Sequence, residues 1–246
     1  MSGAVIHARG LTKRFGTFTA VDRIDLDVKP GEIFGFLGAN GAGKTTAMKM
    51  FIGLLRPSEG QATVAGHDVY SESDAIKRSI GYMSQRFSLY NDLTVRENIR
   101  FYGGVYGLRK VELKERTMDL LNELGLQGHA DARLAGLPLG WKQKLAFSVA
   151  LIHRPRVVFL DEPTGGVDPV TRRQFWEMIY AAADGGVTVF VTTHYMDEAE
   201  YCHRASIMVD GVMAACDTPA ALKLRFEASS MDEVFYRLAR GASRNE

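Results

Sequence analysis

Cysteine is nearly missing: Cys202 and Cys216 are the only two in 246 residues. Two cysteines make no disulfide framework, and a reducing cytosol is the expected setting. Cys202 has a histidine beside it, His203, but no further ligands follow at zinc spacing, which argues against a metal site there. An excess of charge of one sign is missing too. Thirty basic residues face 29 acidic ones, for a formal net charge of +1. With no basic stripe and no polybasic cluster, neither nucleic acid nor a lipid surface is an expected partner. Long apolar runs are also lacking. "VVFL" and "VTVFVTT" are strand-sized, well short of the roughly 18–20 residues that a membrane-spanning helix needs. The opening "MSGAVIHARG" carries no signal-peptide pattern. No internal repeat or low-complexity linker interrupts the chain. A soluble protein is expected, whose membrane role, if it has one, comes through a partner.

What is present is ample apolar material, 46% of the residues, enough for one large α/β domain or two small ones. Residues 4–38 alternate apolar and polar in short pieces broken by Gly and Pro, which predicts several antiparallel strands. "EIFGFLG" differs: a compact apolar run ending at Gly38, as in a buried parallel strand. Helical spacing follows over 45–55 and stops before Arg56-Pro57. From about residue 92 to 154 only helical patterns occur. Strands and helices alternate again through "RVVFL" (156–160), "TRRQFWEMIYAAAD", "VTVFVTT" (187–193) and "MDEAEYCHR". Asp210-Gly211 marks a hairpin, and "SMDEVFYRLARG" reads as a short amphipathic helix. The expected organisation is one domain, with a β/α core over 1–84 and 155–220, a helical insertion over 85–154 and a tail over 221–246.

The chemistry concentrates in two places. "GANGAGKTT" (38–46) fits G-x-x-x-x-G-K-[ST] through Gly38, Gly43, Lys44 and Thr45. Glycines at such a turn let successive N–H groups point inward around phosphate oxygens, with a helix N-terminus behind them. The expected cradle is Gly38, Asn40, Gly41, Ala42, Gly43, Lys44, Thr45 and Thr46. Lys44 would reach the β- and γ-phosphates, and the Thr45 hydroxyl would bind Mg²⁺. A Gly-rich turn without ligand is the plain alternative, and the strand before and helix after it argue against that. In "VVFLDEP", Asp161 ends an apolar strand where it can order Mg²⁺, and Glu162 beside it can polarise an attacking water as general base. Gln85, His194 and Phe15 gain meaning only beside these motifs. Taken alone, they read as a loop residue, a helix cap and a core aromatic. Beside them, His194 projects from the same sheet edge as Asp161, and Phe15 is a candidate to stack on adenine.

Taken in order, "GANGAGKTT", Gln85, "LPLGWKQK", "VVFLDEPTGGVD" and His194 resemble the nucleotide-binding domain of an ATP-binding cassette (ABC) transporter. The likeness covers essentially the whole chain. "SLYNDLTVRENI", "EPTGGVDPVTRRQFW" and "THYMDEAEYC" are most similar to ABC-2-type exporters, and "LPLGWKQ" to their multidrug-export ATPases. The resemblance implies an α/β P-loop NTPase (RecA-like) core with an N-terminal antiparallel β subdomain and an inserted helical subdomain. It implies ATP and Mg²⁺, the metal being managed by Thr45, Gln85 and Asp161. Glu162, His194, Lys44 and Gln85 would be catalytic. Two cassettes would face head to tail, as a homodimer or with a different cassette. Separate transmembrane permease subunits would bind them at the cytoplasmic face of the inner membrane. Asp168 would lie at the crossing between the two sites, and Gln85 would couple closure to the permease.

The resemblance places residues 137–141 at the signature position, where Leu-Ser-Gly-Gly-Gln is usual. Here Pro138 replaces Ser, Leu139 the first Gly and Trp141 the Gln, while Gly140 stays. The Leu139 and Gly140 amides would contact the nucleotide bound to the partner. The lost serine hydroxyl corresponds to a hydrogen bond to a charged group, roughly 1.5–3 kcal/mol. "GGVD" likewise departs modestly from the usual "SGLD". A non-transport relative, such as a ribosome-associated ATPase, would share these motifs, because motifs fix chemistry better than biology. A small-molecule kinase would need neither signature loop nor His194.

Overall fold

The computed structural model describes residues 3–85 and 89–241. Residues 1–2, 86–88 and 242–246, which fall in the expected core, insertion and tail, lie outside the described residues. Strand β1 (Ile6–Phe15) turns through Gly16-Thr17 into its antiparallel partner β2 (Phe18–Val28). β3 (Ile33–Gly38) is buried at all positions and leads into α1 (Lys44–Phe51). β4 (Glu59–Val64), β5 (His67–Asp68), α2 (Ser73–Ser79) and β6 (Ile80–Met83) follow. The next segment is helical: α3 (Val95–Val105), α4 (Lys110–Glu123) and α5 (Leu139–Ala150), with two short 3₁₀ turns and no strand among the described residues. The remainder alternates: β7 (Val157–Asp161), α6 (Pro169–Asp184), β8 (Thr188–Thr193), β9 (Arg204–Val209) and β10 (Val212–Asp217). Helices α7 (Pro219–Arg225) and α8 (Met231–Gly241) complete it.

Two sheets result. The antiparallel one runs β2-β1-β4-β5, and the larger one runs β10-β9-β3-β8-β7-β6. In the larger sheet β3, β6, β7, β8 and β9 are mutually parallel, and β10 returns antiparallel through the Asp210-Gly211 hairpin. Alternate residues of the parallel strands enter two different cores. Phe34, Phe36, Phe159 and Phe190 pack with α1 and the antiparallel sheet. Ile33, Val158, Leu160, Val189 and Val191 pack with the helices of the insertion and with α6. A sheet covered on both faces needs continuous apolar strands, which is how β3, β7 and β8 read.

Two local outcomes differ from the sequence-based expectation. Helix α1 stops at Phe51 rather than at 55, because Gly53 takes a left-handed φ of 71° just past the C-cap Ile52. Such a glycine is a standard helix terminator. "MDEAEYCHR" forms only a 3₁₀ turn over Met196–Tyr201 before β9 begins at Arg204. Caps elsewhere follow local chemistry. Thr94 and Glu97 form a capping box on α3, and Asp168 caps α6 with Pro169 at its first position.

Candidate active site

Four neighbouring parallel strands deliver the site from their carboxyl ends, where open α/β sheets bind ligands. β3 ends at Gly38, β8 runs into His194, β7 ends at Asp161, and Gln85 lies two residues beyond β6. The register aligns them, pairing Leu37 with Thr193, Asp161 with Thr192 and Met83 with Leu160.

The glycine loop closes against its own fold. Gly43 holds φ at 99°, and a Cβ there would meet the Ala20 carbonyl oxygen at 2.4 Å. Only glycine serves both demands. Lys44 is almost wholly buried, and its Nζ donates to the carbonyls of Gly38 (2.7 Å) and Ala39 (3.1 Å). Burial pushes the Lys44 ammonium below its usual range, and Glu162 and Asp161 pull it back up. A cavity of about 350 Å³ opens over Asn40, Gly41, Gly43, Lys44, Thr45 and Thr46, with Gln85 and Glu162 on its far side. Ala42 is buried beneath the loop.

Asp161 is buried, and Thr192 Oγ1 donates to its Oδ1 at 2.6 Å. Burial raises this carboxyl above the ordinary range, and the neighbouring Glu162 adds to the rise. The Thr192 hydroxyl, Lys44 and Lys49 oppose it. Glu162 follows in a left-handed conformation, φ 49°, which costs a non-glycine residue on the order of 1–3 kcal/mol. The Glu162 amide bonds to the Thr192 backbone oxygen at 3.1 Å, fixing the turn. The carboxylate thereby points into the site. Its Oε2 accepts from Gln85 Nε2 (2.9 Å) and His194 Nδ1 (3.0 Å), and its Oε1 lies 3.8 Å from Lys44 Nζ. The structure thus brings Lys44, Gln85, Asp161, Glu162 and His194 together. Thr192 belongs to the same group. The sequence signals it only as a threonine inside an apolar strand.

Phe15 is half exposed at the end of β1. Its ring carries the Lys13 ammonium 5.2 Å from the centroid. The aromatic on the rim of the glycine-loop cavity is its cross-strand partner Phe18, which is 63% exposed. Leu139, Gly140 and Asp168 lie away from the glycine-loop cavity. Leu139 lines a second cavity, also about 350 Å³, on the other side of Glu162, with Gln143, Gly166 and His194. Pro138 is the N-cap of α5, and its carbonyl accepts from the Trp141 and Lys142 amides at 3.1 and 3.2 Å. Gly140 has a packing reason to stay, since a Cβ would fall 2.6 Å from Thr171 Cγ2 on α6. Asp168 accepts from the Val170 and Thr171 amides at 3.0 Å, and its bonds to Thr171 hold its carboxyl below the usual range.

Known proteins share this sequence pattern and fold. The family model described as ABC transporter matches residues 21–165, more than half of the chain. The probable multidrug ABC transporter ATP-binding protein YbhF of Escherichia coli is 51% identical over 219 residues, covering 89% of this chain. The chain spans only 38% of that relative's length. Nod factor export ATP-binding protein I of Burkholderia thailandensis is 39% identical over 223 residues, covering 90% of this chain and 73% of that protein. Among solved structures, an ATP-binding subunit of an ABC transporter superposes with a TM-score of 0.85 at 26% identity, covering 95% of this chain and 99% of the other. The cbiO1 protein of Clostridium perfringens gives 0.83 at 26% identity, covering 97% of each chain. On the matched family model and these relatives, the chain belongs to the ABC transporter family.

Proposed function

We propose that this chain binds and hydrolyses ATP as the energising subunit of an ABC-2-type exporter, closing on a second cassette to do so. One observation carries the chemistry: Glu162, next to the glycine cradle, is held by Gln85 and His194 and faces Lys44. Loop amides and the Lys44 ammonium bind the phosphates, and α1 directs its N-terminal dipole at them. Glu162 takes the proton of the attacking water, as a positioned base does. His194 Nδ1 donates to that carboxylate and holds its orientation, leaving Nε2 for the γ-phosphate. Oxygen donors suit Mg²⁺. Asp161 carries a charge penalised by burial, Thr45 lines the cavity, and Gln85 keeps its carbonyl oxygen for a ligand while its Nε2 serves Glu162. Mg²⁺, when bound there, would neutralise phosphate charge.

The signature segment lies outside the glycine-loop cavity of its own chain, which supports a pocket completed by a neighbour's residues 137–141 and by Asp168. Phe18 or Phe15 would supply the face for adenine. No helix among the described residues is long and apolar enough to cross a membrane. The transport path would then belong to transmembrane permease subunits that this chain binds at the cytoplasmic face, and the exported cargo would be of the multidrug kind. The test is phosphate release from Mg·ATP by the full chain, alone and with the membrane protein that co-purifies with it. Specific activity should rise with chain concentration, because two chains build each site. Absence of hydrolysis under both conditions refutes the proposal.

A further inference from the structure

Behind the catalytic face lies a buried acidic group that the mechanism above does not use. Glu198 is fully buried on the 3₁₀ turn after β8. Its Oε1 accepts from Thr164 Oγ1 at 2.6 Å, while its Oε2 has no hydrogen-bond partner among the described residues. Arg172 Nε of α6 stands 3.8 Å from that same Oε1 and is itself without a hydrogen-bond partner. A buried carboxylate left half-satisfied is costly, and apolar replacement is often the more stable choice. Its presence therefore needs a reason other than holding the fold.

The connectivity supplies one. Thr164 lies two residues after Glu162, and Glu198 lies four residues after His194. Glu162 and His194 already touch through Oε2 and Nδ1 at 3.0 Å. The Thr164–Glu198 bond closes a second link behind that contact, so the two catalytic segments form a ring joined at two points. Arg172 extends the ring. Its guanidinium sits 4.5 Å over the Tyr195 ring and 3.7 Å from Asp197, and its amide bonds to the Asp168 carbonyl at 2.9 Å. Glu162 itself rests on a strained left-handed backbone that the surroundings must hold in place.

Resting on the hydrolytic reading above, we propose that Thr164 and Glu198 are positioning residues. Their hydrogen bond sets the register between the Glu162 and His194 segments, and the Arg172 side chain joins that cluster to α6. Misplacement of a catalytic pair by about 1 Å costs up to about 10²-fold in rate. The test uses the full chain with Mg·ATP, measuring kcat, KM and thermal midpoint together. Thr164→Val, which removes the donor, should lower kcat about tenfold or more with KM within about twofold. Thr164→Ser, which keeps the hydroxyl, should restore it. Because Thr164→Val strands the Glu198 carboxylate, the paired variant Thr164→Val/Glu198→Met removes both polar partners, a change that can be nearly neutral for stability. It should melt close to wild type and still turn over slowly. Wild-type kcat in the folded paired variant overturns the proposal, because the cluster would then be structural only. Unfolding of the paired variant below assay temperature overturns it as well. An inactive wild-type chain, by contrast, is a failure of the hydrolytic reading itself.

Discussion

Replacing Glu162 by glutamine separates binding from turnover, and the contacts of the carboxylate set the direction of each effect. The amide keeps the side chain's shape and its carbonyl oxygen, so it can still accept from Gln85 Nε2 and His194 Nδ1. What disappears is a negative charge 3.8 Å from Lys44 Nζ. At an effective dielectric constant near 20 that pair is worth about 4 kcal/mol before desolvation is subtracted. In the empty chain Lys44 loses a partner. In the nucleotide complex the phosphates take over that role and no longer face a neighbouring carboxylate. Affinity for Mg·ATP should therefore hold or improve. Turnover should fall by about 10²–10⁴, the usual contribution of a positioned base, which is about 2.7–5.5 kcal/mol in the barrier. Phosphate release measures the second effect and equilibrium ATP binding the first. Light scattering should show the ATP-loaded variant moving from the mass of one chain to that of two. Near-normal hydrolysis removes Glu162 from its role. A variant that binds ATP yet stays monomeric, with and without its membrane partner, refutes the sandwich.

Two further outcomes follow from the same site. Burial raises the Asp161 carboxyl above the ordinary carboxylate range, so its ionised form opposes folding at neutral pH. That group's contribution to stability is fully present below the unfolded value and is lost as pH rises through the folded one. Asp161→Asn, which can still accept from Thr192, should thus melt above wild type at pH 7 without nucleotide, with the gain fading towards pH 4. It should also lose the stabilisation by Mg·ATP, and melting below wild type at pH 7 would contradict the assignment. Removing both rings in Phe15→Ala/Phe18→Ala should cost about 1–3 kcal/mol of ATP affinity and leave tripolyphosphate affinity unchanged. An equal loss for both ligands would show that the rings support the loop rather than the base.

Much of this is legible in the residues themselves. The apolar run to Gly38, the glycine loop and the helix after it dictate one another, because phosphate-facing amides need all three. "VVFLDEP" placed a carboxylate pair at a strand end, and Asp210-Gly211 placed the final hairpin. The remainder depended on backbone angles and on neighbours that apolar patterning does not report. Period-two alternation could not say whether Phe15 or Phe18 rims the cavity, since the two face each other across a two-residue turn. Gly53 ends α1 by taking a backbone angle that no apolar periodicity reports. Thr192 became part of the site only when β7 and β8 paired in register. Nothing in "MDEAEYC" separates Glu198 from its acidic neighbours. It is buried beside Thr164 of the segment after β7 and Arg172 of α6.

The altered signature segment shows most clearly how one chemistry can be exchanged for another. Proline at the α5 N-cap keeps the extended entry, φ −56° and ψ 150°, that a serine cap would also take. Its carbonyl secures the first turn, so the helix starts in the usual way without the hydroxyl. The apolar replacements stand at the surface: Leu139 is 46% exposed and Trp141 is 37% exposed, the latter edge-on to His129. Fully covering a leucine or a comparable side chain is worth about 1.5–3 kcal/mol, so covering the exposed half of Leu139 adds about 1 kcal/mol, which offsets part of the phosphate hydrogen bond that serine would have made. Within the proposed sandwich, this chain gives up a contact that exists only when nucleotide is present. In return it presents apolar area that a facing cassette buries whatever the nucleotide. Closure here should then owe more to the surface of the opposing chain, and less to the γ-phosphate, than in a cassette with a serine signature.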